Sequence, residues 1–289
     1  MRPRFASSRF RGFTLVEILV VLVIVGILLA MAMALTRGIT AAQKRSLTAT
    51  RMAAVDAALV QFVMQQRRLP CPADGTIASG MPNAGVEAPT TGAPCTGAQA
   101  NGVVPWVTLG LSEADATDGW DRRLTYRVGN APAPAVSLAG ANAMDMSKCD
   151  PAGTGDIDPA TGLCNAACIS TALGSCTRPD KFVLNRGLEV RSIVGSKQMD
   201  PAAATGAAYV VVSHGESGGG AFLNSGQLGT STTTDGTEEA KNYANLAIQA
   251  YYVDDTISDA AGANHFDDIV SRPSVLAVIT KAALAPRSH

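Results

Sequence analysis

Three groups of residues in this 289-residue chain have types and spacings suited to chemistry. The first is Gly215-Glu216-Ser217-Gly218-Gly219, which fits Gly-x-Ser-x-Gly and follows the apolar run Tyr209–Val212. Asp254, Asp255 and His265 come after it, in the Ser–Asp–His order of a serine hydrolase whose nucleophile sits on a strand-to-helix turn. In that chemistry an imidazole takes the serine proton as the hydroxyl attacks an acyl carbon. The second group is six cysteines, Cys71, Cys95, Cys149, Cys164, Cys168 and Cys176. They offer either disulfides or thiolate ligands for zinc. The third is a single carboxylate, Glu17, inside an otherwise apolar run from Phe13 to Leu35 that also holds Thr14 and Gly26. An acid kept at such a position costs up to about 2.5–3.5 kcal/mol at mid-bilayer and marks a functional residue by default.

The elements that would have to position these groups decide between the readings. A serine nucleophile of this kind needs a helix directly after it. Gly218, Gly219, Gly220, Asn224, Ser225 and Gly226 make poor helix. No His-Gly-Gly-Gly oxyanion segment lies upstream, and no alternating βαβ pattern exists to build a doubly wound sheet. The motif therefore reads as a glycine-rich hairpin connection, and a membrane-anchored periplasmic serine hydrolase stands as the alternative of a different class. Zinc is disfavoured because Cys164-x₃-Cys168-x₇-Cys176 has no paired CxxC knuckles and no neighbouring histidine. Disulfides remain; six cysteines allow about 15 pairings. Local closure favours Cys71–Cys95, with two bonds among the other four.

The overall balance of 23 basic and 24 acidic residues leaves a net charge of −1, so there is no basic footprint for nucleic acid. Hydrophobic residues make up 47%, which excludes wholesale disorder, and aromatics only 5%, which makes the core aliphatic. The distribution is uneven. Residues 1–12 carry Arg2, Arg4, Arg9 and Arg11 and no acid, and Ile18–Leu35 contains no charged side chain. At about 1.5 Å per residue such a run crosses a hydrocarbon core of about 30 Å. It is too long for the apolar region of a cleaved secretory signal, and a plain signal anchor gives no reason for Glu17.

Arg9-Phe10-Arg11-Gly12-Phe13-Thr14-Leu15-Val16-Glu17 resembles the leader signal of type IV prepilins and type II secretion pseudopilins. The resemblance covers about residues 9–36. It implies that a prepilin peptidase/methyltransferase cuts between Gly12 and Phe13, that Phe13 becomes N-methylated, and that Glu17, the fifth mature residue, pairs with the Phe13 amine of a neighbouring subunit. It further implies an inner-membrane assembly platform and other pilin or pseudopilin subunits as partners, besides the lipid bilayer. The leader arginines hold that end in the cytoplasm, leaving a single-pass inner-membrane protein with a periplasmic head.

The helix that starts in the apolar run meets no proline until Pro70, which stops it. Beyond Thr40 it turns amphipathic: Met52, Val55, Leu59 and Phe62, with Val63, form a stripe, while Arg51, Asp56, Gln61 and Gln65 lie off it. From Thr14 to Arg68 it would span about 80 Å. The remaining chain is rich in loops, with strand-like runs at Leu124–Val128, Leu188–Val194, Ala207–Ser213, Ile248–Val253 and Val275–Thr280; Thr230–Gly236 reads as a polar tip. The expected fold is α+β, a long N-terminal helix packed on a small antiparallel sheet with long disulfide-bonded loops. The expected divisions are leader 1–12, transmembrane and assembly helix 13–36, amphipathic half 37–69 and periplasmic head 70–289.

Two head segments extend the resemblance. Asp118-Gly119-Trp120-Asp121-Arg122-Arg123-Leu124-Thr125-Tyr126 is similar to the pseudopilin Asp-x-Trp-Gly-x-x-Tyr turn and strand, with Asp121 in place of the glycine. His265-Phe266-Asp267-Asp268-Ile269-Val270-Ser271 is similar to an acidic stretch that contributes to a calcium loop in major pseudopilins, which makes Asp267 and Asp268 candidate calcium ligands. Ser213-His214-Gly215-Glu216 stands where the family's second acidic loop would be. The function so implied is a pilin-like subunit of a type II secretion pseudopilus or a related filament, with a minor pilin for adhesion or DNA uptake as the alternative.

Overall fold

The computed structural model describes residues 15–88, 95, 101–129, 138–139, 143–144, 182–230, 236–246, 249–258, 260 and 262–284, and for residues 30–38 the backbone alone. The chain divides into two compact units, residues 1–44 and 45–289. One helix, α1 (Leu15–Gln66), begins in the first and ends in the second. It ends ahead of Pro70, where Arg67 takes a left-handed φ of 55° and turns the chain out.

The second half of α1 buries Met52, Val55, Leu59 and Val63 in the main core, the stripe expected from sequence, while Phe62 stays half-buried with the Arg68 guanidinium over its ring. Two residues off the stripe turn out to be ties. Arg51 Nη1 donates to the carbonyls of Asp118 (2.8 Å) and Thr117 (3.3 Å). The Asp56 carboxylate accepts from the Tyr209 hydroxyl (3.0 Å) and the Ser271 hydroxyl (2.7 Å).

The strands in chain order are β1 (Ala73–Asp74), β2 (Gly102–Val103), β3 (Arg122–Arg123), β4 (Thr125–Val128), β5 (Val190–Arg191), β6 (Lys197–Met199), β7 (Tyr209–Ser213), β8 (Phe222–Leu223), β9 (Tyr252–Val253) and β10 (Ile269–Ser271). The main sheet has the order β1-β2-β4-β7-β10 and is antiparallel throughout. β3 and β8 pair separately, and β6-β5-β9 form a third sheet in which β5 and β9 run parallel. β7 is buried on both faces. Tyr209 and Val211 join the core that holds the α1 stripe, whereas Val210 and Val212 join a second cluster with Leu188, Val190, Met199 and Tyr252. Alternate side chains of a strand point to opposite faces, so an unbroken Tyr-Val-Val-Val run is what a doubly covered strand requires.

Val275–Thr280 is a correction. The segment is a helix, α2 (Val275–Lys281), and not a strand. Ser274, directly after Pro273, caps it by accepting from the Ala277 amide, and Val275, Val278 and Ile279 bury one face at helical spacing. Four β-branched residues in seven favour a strand locally, and the cap with the 3/4 periodicity of the buried positions overrides that preference.

Cys71 and Cys95 are joined by a disulfide. Cys149, Cys164, Cys168 and Cys176, like residues 231–235 of the polar tip, lie outside the described residues. The bridged loop is pinned at its start by Glu87. Its carboxylate accepts two bonds from Arg68, both 2.7 Å, and one from the Cys71 amide at 2.9 Å.

Candidate functional site

The first candidate lies at the start of α1. Gly12 and Phe13, the expected cleavage pair, lie outside the described residues. Glu17 stands in the first turn of α1, where an acid complements the positive end of the helix dipole. Around it every large apolar side chain from Leu15 to Leu29 is exposed, between 43% (Val25) and 82% (Leu15). An apolar surface of that extent calls for lipid or a protein partner. By length and composition the stretch Ile39–Gln66 would also suit a membrane, but its Met52, Val55, Leu59 and Val63 are taken up by the head core.

The second candidate is in the head, where the end of β7, a short 3-10 helix (Glu239–Asn242) and the residues leading into β10 meet. β7 and β10 pair with Ser213 opposite Ile269, which brings His214–Ser217 alongside Asp267 and Asp268. The Asp267 carboxylate accepts from the Ser217 amide (2.7 Å) and the Ser217 hydroxyl (2.9 Å). Gly215 lies so close that a Cβ there would overlap the Asp267 carbonyl and carboxylate, and its φ of 52° also favours glycine. Asp268 points to other partners. It accepts from Asn242 Nδ2 at 2.8 Å and faces His214 Nδ1 at 3.5 Å. His214 Nε2 meets the Thr125 hydroxyl at 2.7 Å, while its buried Nδ1 makes no hydrogen bond. The two aspartates proposed from sequence as one calcium pair thus have separate partners.

Glu239 is the residue that sequence reasoning missed. Its buried carboxylate meets His265 Nδ1 at 2.9 Å and accepts from the amides of Asp267 (2.8 Å) and Gly236 (3.0 Å). Burial, and then the Asp268 charge, push its carboxyl up to about 7. Burial also raises the Asp268 carboxyl. Within Thr237-Glu238-Glu239-Ala240 nothing distinguishes Glu239 from Glu238, which pairs on the surface with Lys241.

The residues of the hydrolase alternative are engaged elsewhere. Ser217 donates its hydroxyl to Asp267, Asp254 pairs with Arg272 at 2.5 Å, Asp255 accepts from the Ile193 amide at 3.0 Å, and His265 pairs with Glu239. Turns at Gly215–Gly220 lead from β7 into strand β8 and not into a helix.

The segment around Trp120 forms a turn held by Asp118, whose Oδ1 accepts from the amides of Trp120 (2.8 Å) and Arg122 (3.0 Å). Asp118 Oδ2 accepts from Ser213 at 2.8 Å. Asp121 takes φ 61°, the left-handed conformation a glycine adopts readily. Arg123, two residues on, is fully buried. It donates to Glu113 (2.7 Å) and to the carbonyls of Gly75 (3.0 Å) and Ile77 (2.7 Å), and its guanidinium lies over the Trp106 ring.

An α+β head joined to a helix that begins with the exposed apolar run Leu15–Leu29 defines a pilin-like architecture. Residues 7–33 match the family model described as the prokaryotic N-terminal methylation motif. The chain carries the prepilin-type cleavage and methylation signature of type IV pilins and pseudopilins. No curated protein and no solved structure matches it.

Proposed function

We propose that the protein is a structural, non-enzymatic pilin-like subunit, processed by prepilin peptidase and assembled through α1 into a type II secretion pseudopilus or a related type IV pilus-like filament. In this reading the leader, residues 1–12, stays cytoplasmic until the Gly12–Phe13 bond is cut, and Phe13 is then N-methylated. Residues 13–36 anchor the subunit in the inner membrane and later pack against neighbouring subunits on the assembly platform. Residues 37–69 carry the head, 70–289, on the periplasmic side. The observation that carries the proposal is Glu17, one acid set five residues into the mature chain on an exposed apolar helix, inside the matched motif. A carboxylate carried into an apolar environment is tolerated where it meets a cation, and this reading gives Glu17 the Phe13 amine of a neighbouring subunit. The segment from Asp118 to Tyr126 favours a pseudopilin over a minor pilin.

Co-expression with a prepilin peptidase tests the proposal. Intact mass should fall by the first twelve residues and rise by one methyl group, and Gly12→Val should block the cut. An uncut chain, or a cut after Ala32, overturns it. A fluorophosphonate probe should leave Ser217 unlabelled.

A further inference from the structure

Glu239, His265 and Asp267 each offer one ligand atom, and the three atoms lie within 4.8 Å of one another. We propose that these three residues bind a divalent transition cation of the zinc type, with water completing the coordination. This site differs from the sequence-expected calcium pair in both residues and ion. Asp268 lies outside it, and an imidazole nitrogen with two carboxylates is a donor set for zinc and its neighbours, whereas calcium takes 6–8 oxygens.

Four features of the head support it. His265 Nδ1 and Glu239 Oε2 are 2.9 Å apart, close to the edge of about 3.3 Å that a tetrahedral shell with bonds of about 2.0 Å requires. The ligands are oriented from behind. Glu239 is held by the amides of Gly236 and Asp267, and Asp267 by the amide and hydroxyl of Ser217. Charge is unbalanced: Glu239, Asp267 and Asp268 gather here, and no lysine or arginine among the described residues forms an ion pair with any of them. Arg122, which packs on the same turn, is turned to the carbonyls of Gly215 (2.7 Å) and Glu216 (3.2 Å). Finally, the His265 side chain is 13% exposed, which gives an ion a route from solvent to an otherwise buried cluster.

The test uses the full chain in detergent, freed of metal with a chelator and kept oxidised so that the Cys71–Cys95 disulfide stays closed. Zinc and calcium are titrated separately by calorimetry, and cobalt is added to read the donors by absorbance. One equivalent of zinc should bind more tightly than calcium. The cobalt form should show visible d–d bands of a four- or five-coordinate ion without thiolate charge transfer. His265→Gln and Glu239→Gln should each weaken zinc more than about tenfold, and Asp268→Asn should retain it. Circular dichroism of each metal-free variant checks folding. If a variant does not fold, the wild-type cobalt spectrum and the zinc-to-calcium ratio decide alone. No zinc binding by the wild type, a thiolate band, tighter calcium than zinc, or unchanged binding in a folded His265→Gln overturns the proposal.

Discussion

At the scale of single residues, the head is held by a few polar groups whose removal is measurable. Asp121 pays for a left-handed turn in an exposed position, so the side chain can be changed without disturbing the core. Asp121→Val should destabilise the head by about 1–2 kcal/mol, because a β-branched side chain fits that conformation badly, while Asp121→Gly should be neutral or slightly stabilising. Chemical denaturation followed by circular dichroism separates the two. Asp56 offers a pH test. Its carboxyl is raised mainly by burial, against the lowering influence of the Ser271 and Tyr209 hydroxyls and Lys281. A carboxyl whose folded value lies above its unfolded value binds protons more tightly in the native state. Its contribution is therefore complete below the unfolded value, near about 4, and is lost as pH rises through the folded one. Stability should fall along that interval, and Asp56→Asn should remove this part of the slope. An identical slope in the variant would mean that Asp56 does not titrate as its surroundings indicate.

Among elements, α1 and β7 were the most legible in the sequence, because each states its surroundings by its period. The α1 stripe repeats every three to four residues and is buried as such, and the unbroken apolar run of β7 matches a strand covered on both sides. α2 was misread since Val275, Val278 and Ile279 favour a strand locally, while the deciding signals were the Ser274 cap and the buried spacing. The ties made by Arg51 and Asp56 were illegible, because their partners come from Thr117, Asp118, Tyr209 and Ser271, brought together only by the tertiary fold. The head cluster was half legible for the same reason. Asp267 and His265 stood out beside Asp268, whereas Glu239 belongs with them only after the 3-10 helix packs against the β10 approach. Leu59→Ala should test how firmly α1 is seated. Leu59 is fully buried, and the truncation should cost about 2–5 kcal/mol in the head's unfolding transition. Ser274→Ala should cost about 0.5–2 kcal/mol through loss of the α2 cap.

For the molecule as a whole, the decisive variant is Glu17→Val. It removes the charge from the exposed apolar part of α1, so membrane insertion should be unchanged or improved, and cleavage should persist because Gly12 and the leader arginines remain. On the proposed assembly, incorporation into filaments should fall, since a neighbour's Phe13 amine would lose its partner in a low-dielectric core. Cross-linking of sheared filaments, beside membrane level and processed mass, reads all three. Normal incorporation of the processed variant would make the carboxylate a passenger.

The bridge between Cys71 and Cys95 has a mechanical consequence. In the proposed filament, a pull along the axis would load each head through α1, and a chain that yielded would peel from α1 towards Cys71. There the covalent link carries the tension straight across a sequence separation of 24, so the enclosed loop never extends. Stretched singly in a force spectrometer, the oxidised head should release about 80 Å less contour length than its Cys71→Ser/Cys95→Ser variant, at about 3.4 Å per residue.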